Sequence, residues 1–389
     1  MDIFFQILFW VSILTLFHCY VIFPLLLKLK AVNKTENSIV YDPKDDLPGI
    51  SIIMACYNEE NDIEKKIIST FNTNYPLNRI EFLIGSDNST DRTNDIIRSY
   101  SEKFSIINFF EFSQRTGKIN IINILKEKAK NDILIFTDTK VFFRKDTIFN
   151  LIKHLKNKEI ALTGGILFNN KLDNKGIYIQ ENAYMNREMQ TKYNEGLIYG
   201  SSMGVFGAIY AIKKEYFNKI PVNYKVDDFY ITMKVLNAGK KVIFVKDAVA
   251  DETLTGNLKE EFKRKVRIST GNYQNLKHFF NVLFKFWKPY SYIFLSHKVI
   301  RWLGPFFMIT IIISLSFLTK FTFYNIVSGV FIVLMALSLF DLILSRFNKK
   351  STFLRFISHF FTMNIALAVG FIKFSKGVKS SIWEPSKRV

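Results

Sequence analysis

The feature that most constrains the fold is an alternation of apolar strands and amphipathic helices between residues 49 and 143. Strands are predicted over residues 49–58, 80–85, 105–112 and 133–136, with a helix after each of the first three. The first helix is predicted to begin at Glu59 with Asn58 as its N-cap. Strands that alternate with helices form βαβ units, so the sequence predicts an α/β fold with a mostly parallel sheet.

Polar residues collect where these strands end. Asn58 and Glu59 follow the first strand, Asp87 ends the second, and Asp138 follows the apolar run of residues 133–136. Ligands bind outside the carboxyl ends of the strands in open α/β sheets, so these side chains are candidates for a site. The alternative for each acid is a turn-forming role, since aspartate caps turns and helix ends.

Composition points to a membrane protein. Of the 389 residues 49% are hydrophobic and 40 are Phe, yet the net charge is +19. Cytoplasmic flanks of membrane helices are rich in Lys and Arg, which explains this combination. A nucleic-acid partner is not predicted, because the lysines are spread along the chain and not gathered in one stripe. Cys19 and Cys56 offer no disulfide framework and no metal-ligand spacing, which fits a reducing compartment.

Several apolar segments are long enough to cross a bilayer, which takes about 20 residues. Residues 3–27 precede Lys28, Lys30 and Lys34, so the sheet domain is expected in the cytoplasm of a multi-pass protein of the plasma (inner) membrane. Residues 299–318 and 321–344 are further spans, and residues 356–374 are a span or a re-entrant or interfacial segment. The expected domains are a membrane helix at 1–30, a catalytic domain at 31–278, an interfacial helix at 279–297, membrane helices at 298–375 and a basic tail at 376–389.

In their order and spacing, the polar motifs resemble those of the membrane-bound family 2 inverting glycosyltransferases, which include the synthases of cellulose, hyaluronan and poly-N-acetylglucosamine. The resemblance covers residues 20–389. It rests on the stretches Cys56-Tyr57-Asn58-Glu59, Asp87 to Asp91, Gly117-Lys118, Asp138-Thr139-Lys140, Asp227-Asp228 and Arg264 to Ile268. It implies a nucleotide-sugar-binding (GT-A type) domain between one N-terminal and two to three C-terminal transmembrane helices.

On the donor side, the resemblance implies roles for residues at the strand ends and in a later helix. Tyr57 and Glu59 would line the nucleotide pocket, Asp87 would hold the nucleoside, and Lys118 would lie beside the diphosphate. Asp138 falls on the family's D-x-D, which binds Mg²⁺ or Mn²⁺. Arg264 and Arg267 would clamp the departing diphosphate, where processive synthases carry Q-x-x-R-W; the Gln and Trp are missing here.

On the acceptor side, Asp228 aligns with the family's general base, which takes the proton of the attacking hydroxyl. Asp227 would lie at the mouth of the acceptor site, and Gly204 and Gly207 would let the backbone approach the acceptor sugar. The plain alternatives are two acids that stabilise a helix N-terminus and two turn glycines.

The main departure from the family is Lys140, which replaces the second acid of D-x-D. One carboxylate can still bind a hydrated cation whose other ligands are phosphates and waters. Alternatively, the Lys140 ammonium replaces part of the metal charge, worth about 4 kcal/mol at 4 Å and an effective dielectric constant of 20. In a third option, Lys140 points away from the site.

The predicted protein is therefore an inverting glycosyltransferase that moves a sugar from a UDP-linked donor to a growing or lipid-linked glycan in polysaccharide synthesis. Its partners would be the donor, the acceptor and the bilayer. One alternative is a single-transfer enzyme that acts on a lipid carrier, since three or fewer C-terminal spans are few for a polymer tunnel. Another is a catalytically silent glycan-binding or export component, which Lys140 would favour.

Overall fold

The computed structural model describes residues 1–169, 177–252, 258–347 and 351–378. These residues divide into two compact units. Residues 30–169 and 189–252 belong to the first, called the sheet unit because all strands of the described chain lie in it. Residues 1–29, 177–188, 258–347 and 351–377 belong to the second, called the helical unit.

The sheet unit contains one eight-stranded sheet with the strand order β3-β2-β1-β4-β7-β6-β8-β5. The strands are β1 Ile50–Cys56, β2 Ile80–Asp87, β3 Ile107–Phe112, β4 Ile133–Thr137, β5 Val141–Phe143, β6 Ile160–Asn169, β7 Ile209–Lys213 and β8 Lys241–Glu252. β1 pairs in parallel with β2 and β4, β2 with β3, and β6 with β8. β7 is antiparallel to β4 and β6, and β5 is antiparallel to β8. The predicted mostly parallel sheet is confirmed.

Helices connect and flank this sheet. They are α1 Asp2–Phe17, α2 Phe23–Ala31, α3 Ile63–Phe71, α4 Thr93–Lys103, α5 Lys118–Lys128, α6 Thr147–Lys153, α7 Ile177–Tyr199, α8 Asp227–Asn237, α9 Leu258–His278, α10 Pro289–Ile293, α11 Ile300–Trp302, α12 Gly304–Phe317, α13 Thr322–Arg346 and α14 Thr352–Ser375. Short π-helical segments at His18–Ile22 and Phe294–Val299 join α1 to α2 and α10 to α11. α7 contributes residues to both units.

The core of the sheet unit is apolar on both faces of its central strands. Ile52 of β1, Phe82 of β2 and Ile135 of β4 are fully buried. α3 adds Ile63 and Ile67 from its inner face to the same cluster. Strands covered on both faces are expected to be continuous apolar runs, which is why the sequence revealed them.

The predicted start of the first helix is wrong. α3 begins at Ile63, and Asn58 has a φ of +51°, a left-handed conformation that asparagine tolerates better than most residues. The Asn58 side chain accepts a hydrogen bond from the N–H of Thr90, 2.8 Å away. Asn58 therefore ties two loops together at the carboxyl end of the sheet and caps no helix.

The helical unit contains three helices that are long and apolar enough to cross a membrane: Asp2–Ala31, Thr322–Leu344 and Thr352–Ser375. They confirm the predicted membrane-like helices at both ends of the chain. α1 packs on α12 through Phe5, whose ring stacks 4.2 Å from that of Phe317. Trp10 Nε1 donates a hydrogen bond to the Tyr324 hydroxyl at 3.2 Å.

The segment predicted as a span at 299–318 is not one straight helix. The helical stretches Pro289–Trp302 and Gly304–Phe317 meet at a 61° bend, as in a broken span or a re-entrant loop. Pro305 explains the break, because proline lacks an N–H and its ring clashes with the preceding turn. The interfacial segment at 279–297 is divided as well, into a 3₁₀ turn at Phe280–Phe284 and a helix that begins at Pro289.

A buried ion cluster joins Glu188, in the middle of α7, to the bent helix within the helical unit. Glu188 Oε1 accepts a hydrogen bond from Lys298 at 2.5 Å, and its Oε2 accepts one from Arg301 at 2.8 Å. His297 Nε2 lies 3.0 Å from Glu188 Oε2. Burial alone would raise the pKa of Glu188, but the cations hold that pKa well below its usual range.

Candidate functional site

The parallel register brings the predicted donor residues to one edge of the sheet. Cys56 at the end of β1 pairs with Ser86 of β2, and Ile53 of β1 pairs with Phe136 of β4. Tyr57, Asp87 and Asp138 therefore all follow the carboxyl ends of adjacent strands. This is the edge where α/β sheets bind ligands.

Asp87 organises the loop that precedes α5. Its carboxylate is almost fully buried and accepts the N–H groups of Thr116 at 2.5 Å and Gly117 at 3.1 Å. Arg115 Nε donates a hydrogen bond to the same carboxylate at 3.2 Å. The carboxylate thus holds the loop that leads into Lys118, the first residue of α5, through two backbone N–H groups.

Arg115 is a member of the site to which sequence reasoning assigned no role. Its guanidinium lies 3.4 Å from the centre of the Tyr57 ring, within cation–π distance. Tyr57 and Asp87 therefore contact the same guanidinium from two strands. The signal in the sequence was its place three residues before Lys118, but its contact with Tyr57 could not be seen without the fold.

Lys118 and Asp138 form an ion pair with 2.6 Å between Lys118 Nζ and Asp138 Oδ1. The Asp138 side chain is 43% exposed, so its second oxygen is accessible to a ligand. The predicted diphosphate lysine and the predicted metal-binding acid are thus neighbours. One positive and one negative group lie side by side at the tip of β4.

Lys140 points at an acid that was itself predicted to be in the site. Its Nζ is 2.9 Å from Glu59 Oε2 and 3.8 Å from Asp62 Oδ2. The Glu59 side chain is only 4% exposed, so its negative charge lies against Lys140 in a poorly solvated place. Position 140, which is an acid in D-x-D, therefore carries a cation here, and that cation pairs with Glu59 after β1.

The acceptor-side residues lie beside this group because β7 runs antiparallel to β4. Thr137 pairs with Ile209, so the chain just before β7 lies next to Asp138. A Cβ on Gly207 would come within 3.2 Å of Asp228 Oδ2. Gly204 has a φ of +82°, and a Cβ there would be 3.0 Å from the Phe229 ring. At both positions the backbone therefore lies closer to the start of α8 than a side chain would readily allow.

Asp228 is a carboxylate at this edge with a raised pKa. Burial and the neighbouring Asp227 raise its pKa from 3.8 to about 6, although Lys192, the Phe229 N–H and Lys118 act in the opposite direction. The Phe229 N–H donates to Asp228 Oδ1 at 2.7 Å. A carboxylate with such a pKa accepts a proton more readily than a free aspartate does.

The buried Tyr210 lies beneath the acids. Its pKa is raised well above 10.0, first by burial and then by Asp227, Asp228 and Asp138. All three acids are therefore within electrostatic reach of one phenol. Lys192 of α7 is also buried, with its Nζ 4.0 Å from the centre of the Phe206 ring. Nothing in the sequence pattern singled out Lys192.

Two predicted site residues belong to the helical unit. In α9 the Arg264 guanidinium makes a two-pronged ion pair with Glu261, with both nitrogen–oxygen distances at 2.9 Å. Arg267 lies one turn further along the same helix and is exposed. The clamp role of these arginines stays a prediction.

A divalent cation would depend on Asp138 and the donor. Within the described ranges, no group of three or more His, Cys, Asp or Glu side chains could hold a metal ion. The exposed carboxylate of Asp138 fits the way Mg²⁺ is commonly bound, by one or two carboxylates with substrate phosphates and waters.

Comparison with known proteins agrees with this geometry. Mannosyltransferase PcManGT from Pyrobaculum calidifontis, solved with GDP-Man and Mn²⁺, has a TM-score of 0.69 at 18% identity and covers 95% of this chain and 99% of its own. The fold is therefore GT-A-like. Residues 51–220 match the family described as Glycosyl transferase family 2.

Curated relatives point to the same family. Probable glycosyltransferase YdaM of Bacillus subtilis (strain 168) is 24% identical over 252 residues, 62% of this chain and 59% of that protein. Poly-beta-1,6-N-acetyl-D-glucosamine synthase of Staphylococcus aureus (strain MSSA476) is 30% identical over 129 residues, 33% of this chain and 31% of that protein. The chain thus spans less than two thirds of the length of these relatives.

Proposed function

We propose that this protein is an inverting glycosyltransferase that moves a sugar from a nucleotide donor onto a growing or lipid-linked glycan in polysaccharide synthesis. The observation that carries the proposal is Asp228, a carboxylate with a pKa of about 6 that lies against Gly207 beside the tip of β4. A helix N-terminus by itself favours the charged form of a carboxylate and lowers its pKa, whereas a raised pKa at a ligand-binding edge suits a general base.

The donor is held by the strand ends. Tyr57, Glu59 and Asp87 line the nucleoside side, and the ordered loop before α5 presents Lys118 to the diphosphate. A lysine there supplies a point charge to the phosphates. Arg264 and Arg267 of α9 hold the diphosphate as it departs. A UDP-linked donor is the first candidate, and a GDP-linked sugar is the second because PcManGT was solved with GDP-Man.

The reaction is a single displacement. The acceptor hydroxyl, approached by the backbone at Gly204 and Gly207 and bordered by Asp227, gives its proton to Asp228 as its oxygen attacks the anomeric carbon. The bond between that carbon and the diphosphate oxygen breaks, so the nucleoside diphosphate leaves and the configuration inverts. A base within about 3 Å of the hydroxyl accelerates such a step by roughly 10² to 10⁴.

A Mg²⁺ or Mn²⁺ ion held by Asp138 would neutralise the charge of the departing diphosphate. The residues around it contribute independently of that ion. Lys118 forms an ion pair with Asp138 and orients it, and Lys140 pairs with the buried Glu59. Of the three options for Lys140, these contacts favour the third, because its ammonium lies against Glu59 and Asp62 and not beside the Asp138 carboxylate.

The proposed setting is the cytoplasmic face of a plasma membrane, with a membrane helix at 1–30, a catalytic domain at 31–278, an interfacial segment at 279–297, membrane helices at 298–375 and a basic tail at 376–389. Lysines 28, 30 and 34 after the first span support this orientation. The three helices that could cross a bilayer support the anchor.

The test is release of nucleoside diphosphate by the detergent-purified chain, across UDP- and GDP-linked sugars, with Mg²⁺, Mn²⁺ or EDTA. Asp228→Asn is the active-site variant, and Asp95→Asn, an exposed change on α4, is its control. We expect metal-dependent release that the first variant loses and the second keeps, and NMR of the product to give the inverted anomer. Retention of configuration would contradict the single displacement.

Two outcomes separate the alternatives. Release with a lipid-phosphate acceptor that stops after one sugar would favour the single-transfer enzyme. No release with any donor, in the presence of lipid and oligosaccharide acceptors, would favour the silent component, which the replacement of an acid by Lys140 supports. Release of nucleoside diphosphate that persists in EDTA would show that lysines neutralise the diphosphate in place of a metal ion.

A further inference from the structure

A fully buried lysine lies behind the turn that carries Asp138. Lys66 is on the inner face of α3, at helical spacing from the core residues Ile63 and Ile67, and none of its surface is exposed. Lysine is almost never fully buried unless it is paired. An ammonium on the apolar face of a helix therefore requires an explanation.

The Lys66 ammonium binds both sides of one turn. Its Nζ donates to Thr137 Oγ1 at 2.8 Å, at the end of β4, and to the carbonyl oxygen of Val141 at 2.6 Å, at the start of β5. Between these two partners lie Asp138 and Lys140. The Val141 N–H in turn donates to the Asp138 carbonyl oxygen at 3.2 Å.

The Lys66 ammonium also contacts an aromatic ring. Its Nζ lies 3.7 Å from the centre of the Phe143 ring, a cation–π contact. Among the residues that the structure describes, no carboxylate lies within ion-pair distance of Lys66. The nearest acid that influences it is Asp138, and burial lowers the pKa of Lys66 well below its usual range.

Such a lysine is a poor choice for stability alone. Burying an ammonium without a carboxylate partner costs free energy, and apolar replacements of buried charges are often neutral or stabilising. A methionine has nearly the same shape and would fill the same space beside Phe143. A buried ammonium that bonds both sides of the turn carrying Asp138 therefore suits a residue that positions the site.

We propose that Lys66 is a positioning residue that fixes the turn of residues 137–141 so that Asp138 faces the donor diphosphate. The inference rests on the proposed function, because only a transferase needs Asp138 in one geometry. Lys66 acts by holding the Thr137 hydroxyl and the Val141 carbonyl, and it touches neither donor nor acceptor.

The test compares Lys66→Met with Thr137→Val, which removes one of the two partners, and with Lys213→Met. The last is a matched control, because Lys213 also donates to a backbone carbonyl, that of Asn157 at 2.9 Å, but pairs with Ile133 at the opposite end of β4. Melting temperature, kcat and KM for the donor, and amide hydrogen exchange over residues 137–143 are measured on the full-length chain in detergent.

We expect Lys66→Met to change the melting temperature little, because removal of the buried ammonium offsets the hydrogen bonds lost to Thr137 and Val141. We expect kcat/KM to fall about 100-fold, the loss that a displacement of about 1 Å can cause. Its turn amides should exchange faster, and those of β1 should not. Thr137→Val should lower kcat/KM by a smaller factor, and the double variant should resemble Lys66→Met alone. Lys213→Met should retain wild-type kinetics.

Two results would overturn the proposal: wild-type kcat/KM in Lys66→Met, or a lower melting temperature with uniform loss of protection across the sheet, which is what a purely structural lysine would give. A failure of the proposed function is recognised separately, because wild-type protein would then release no nucleotide while the exchange of the turn still reports on Lys66. Faster exchange in that case leaves Lys66 as the residue that fixes the turn.

Discussion

Replacing Asp228 with Asn should stabilise the protein and abolish its activity, and the stabilisation should depend on pH. The substitution keeps the size of the side chain and keeps an oxygen for the Phe229 N–H, 2.7 Å away in the wild type. It removes the negative charge that burial and Asp227 disfavour. The variant therefore tests the charge of the residue and leaves its shape alone.

The magnitude follows from the pKa. Folding raises the pKa of Asp228 from 3.8 to about 6, or about two units, and each unit corresponds to about 1.36 kcal/mol. Between pH 4 and 6 the folded state holds more protons than the unfolded state, so wild-type stability falls as the pH rises through this window. The loss contributed by Asp228 is about 3 kcal/mol and is complete above pH 6.

Thermal melting of both proteins in one detergent from pH 4 to 8 measures this difference. The variant and the wild type should melt together near pH 4, and the variant should melt several degrees higher above pH 6. In the wild type, nucleotide release should rise as the pH increases through about 6, because the base must be ionised. Equal melting temperatures at pH 8, or activity that falls with rising pH through this range, would refute the reasoning.

Two further outcomes follow from buried charges. Asp87→Ala leaves the N–H groups of Thr116 and Gly117 without their acceptor. We expect a loss of about 1 to 3 kcal/mol in stability and a higher KM for the donor. Unchanged nucleotide affinity by calorimetry would remove Asp87 from the donor site. Glu188→Gln leaves the buried Lys298 and Arg301 without their acid and should cost about 3 to 5 kcal/mol in melting experiments, whereas a change under 1 kcal/mol would show that the cluster is well solvated.

The strands of the sheet could be predicted because burial on both faces leaves a plain signal. β1 and β4 are runs of Ile, Leu, Met and Phe whose ends are marked by polar residues, and their positions follow from the sequence within a few residues. The bend between Trp302 and Gly304 could not be predicted in the same way. Hydropathy measures how apolar a segment is and carries no information on its direction, so residues 299–318 looked like one span.

The candidate site could be predicted in part, since the positions of Asp87 and Asp138 at the carboxyl ends of their strands follow from the sequence. It was not predictable where the fold creates a pair between distant residues. Lys66 and Thr137 are 71 positions apart, and Lys140 meets Glu59 across two strands. The sequence does place Lys66 on an apolar helix face. That position alone could not show that Lys66 is buried, because only tertiary contacts decide whether such a residue is buried.

The Lys140–Glu59 pair changes what the departure from D-x-D means. An acid at position 140 would lie against Glu59 and Asp62, which are 2.9 and 3.8 Å from the present ammonium, and three carboxylates would then meet in one place. Glu59 is 4% exposed, so removing the Lys140 cation would take an ion-pair partner away from a poorly solvated charge and lower the stability of the folded state. The identity of residue 140 therefore depends on the acid at position 59, with which it is paired. An acid at position 140 would therefore require a simultaneous change at Glu59, because the two residues form an ion pair.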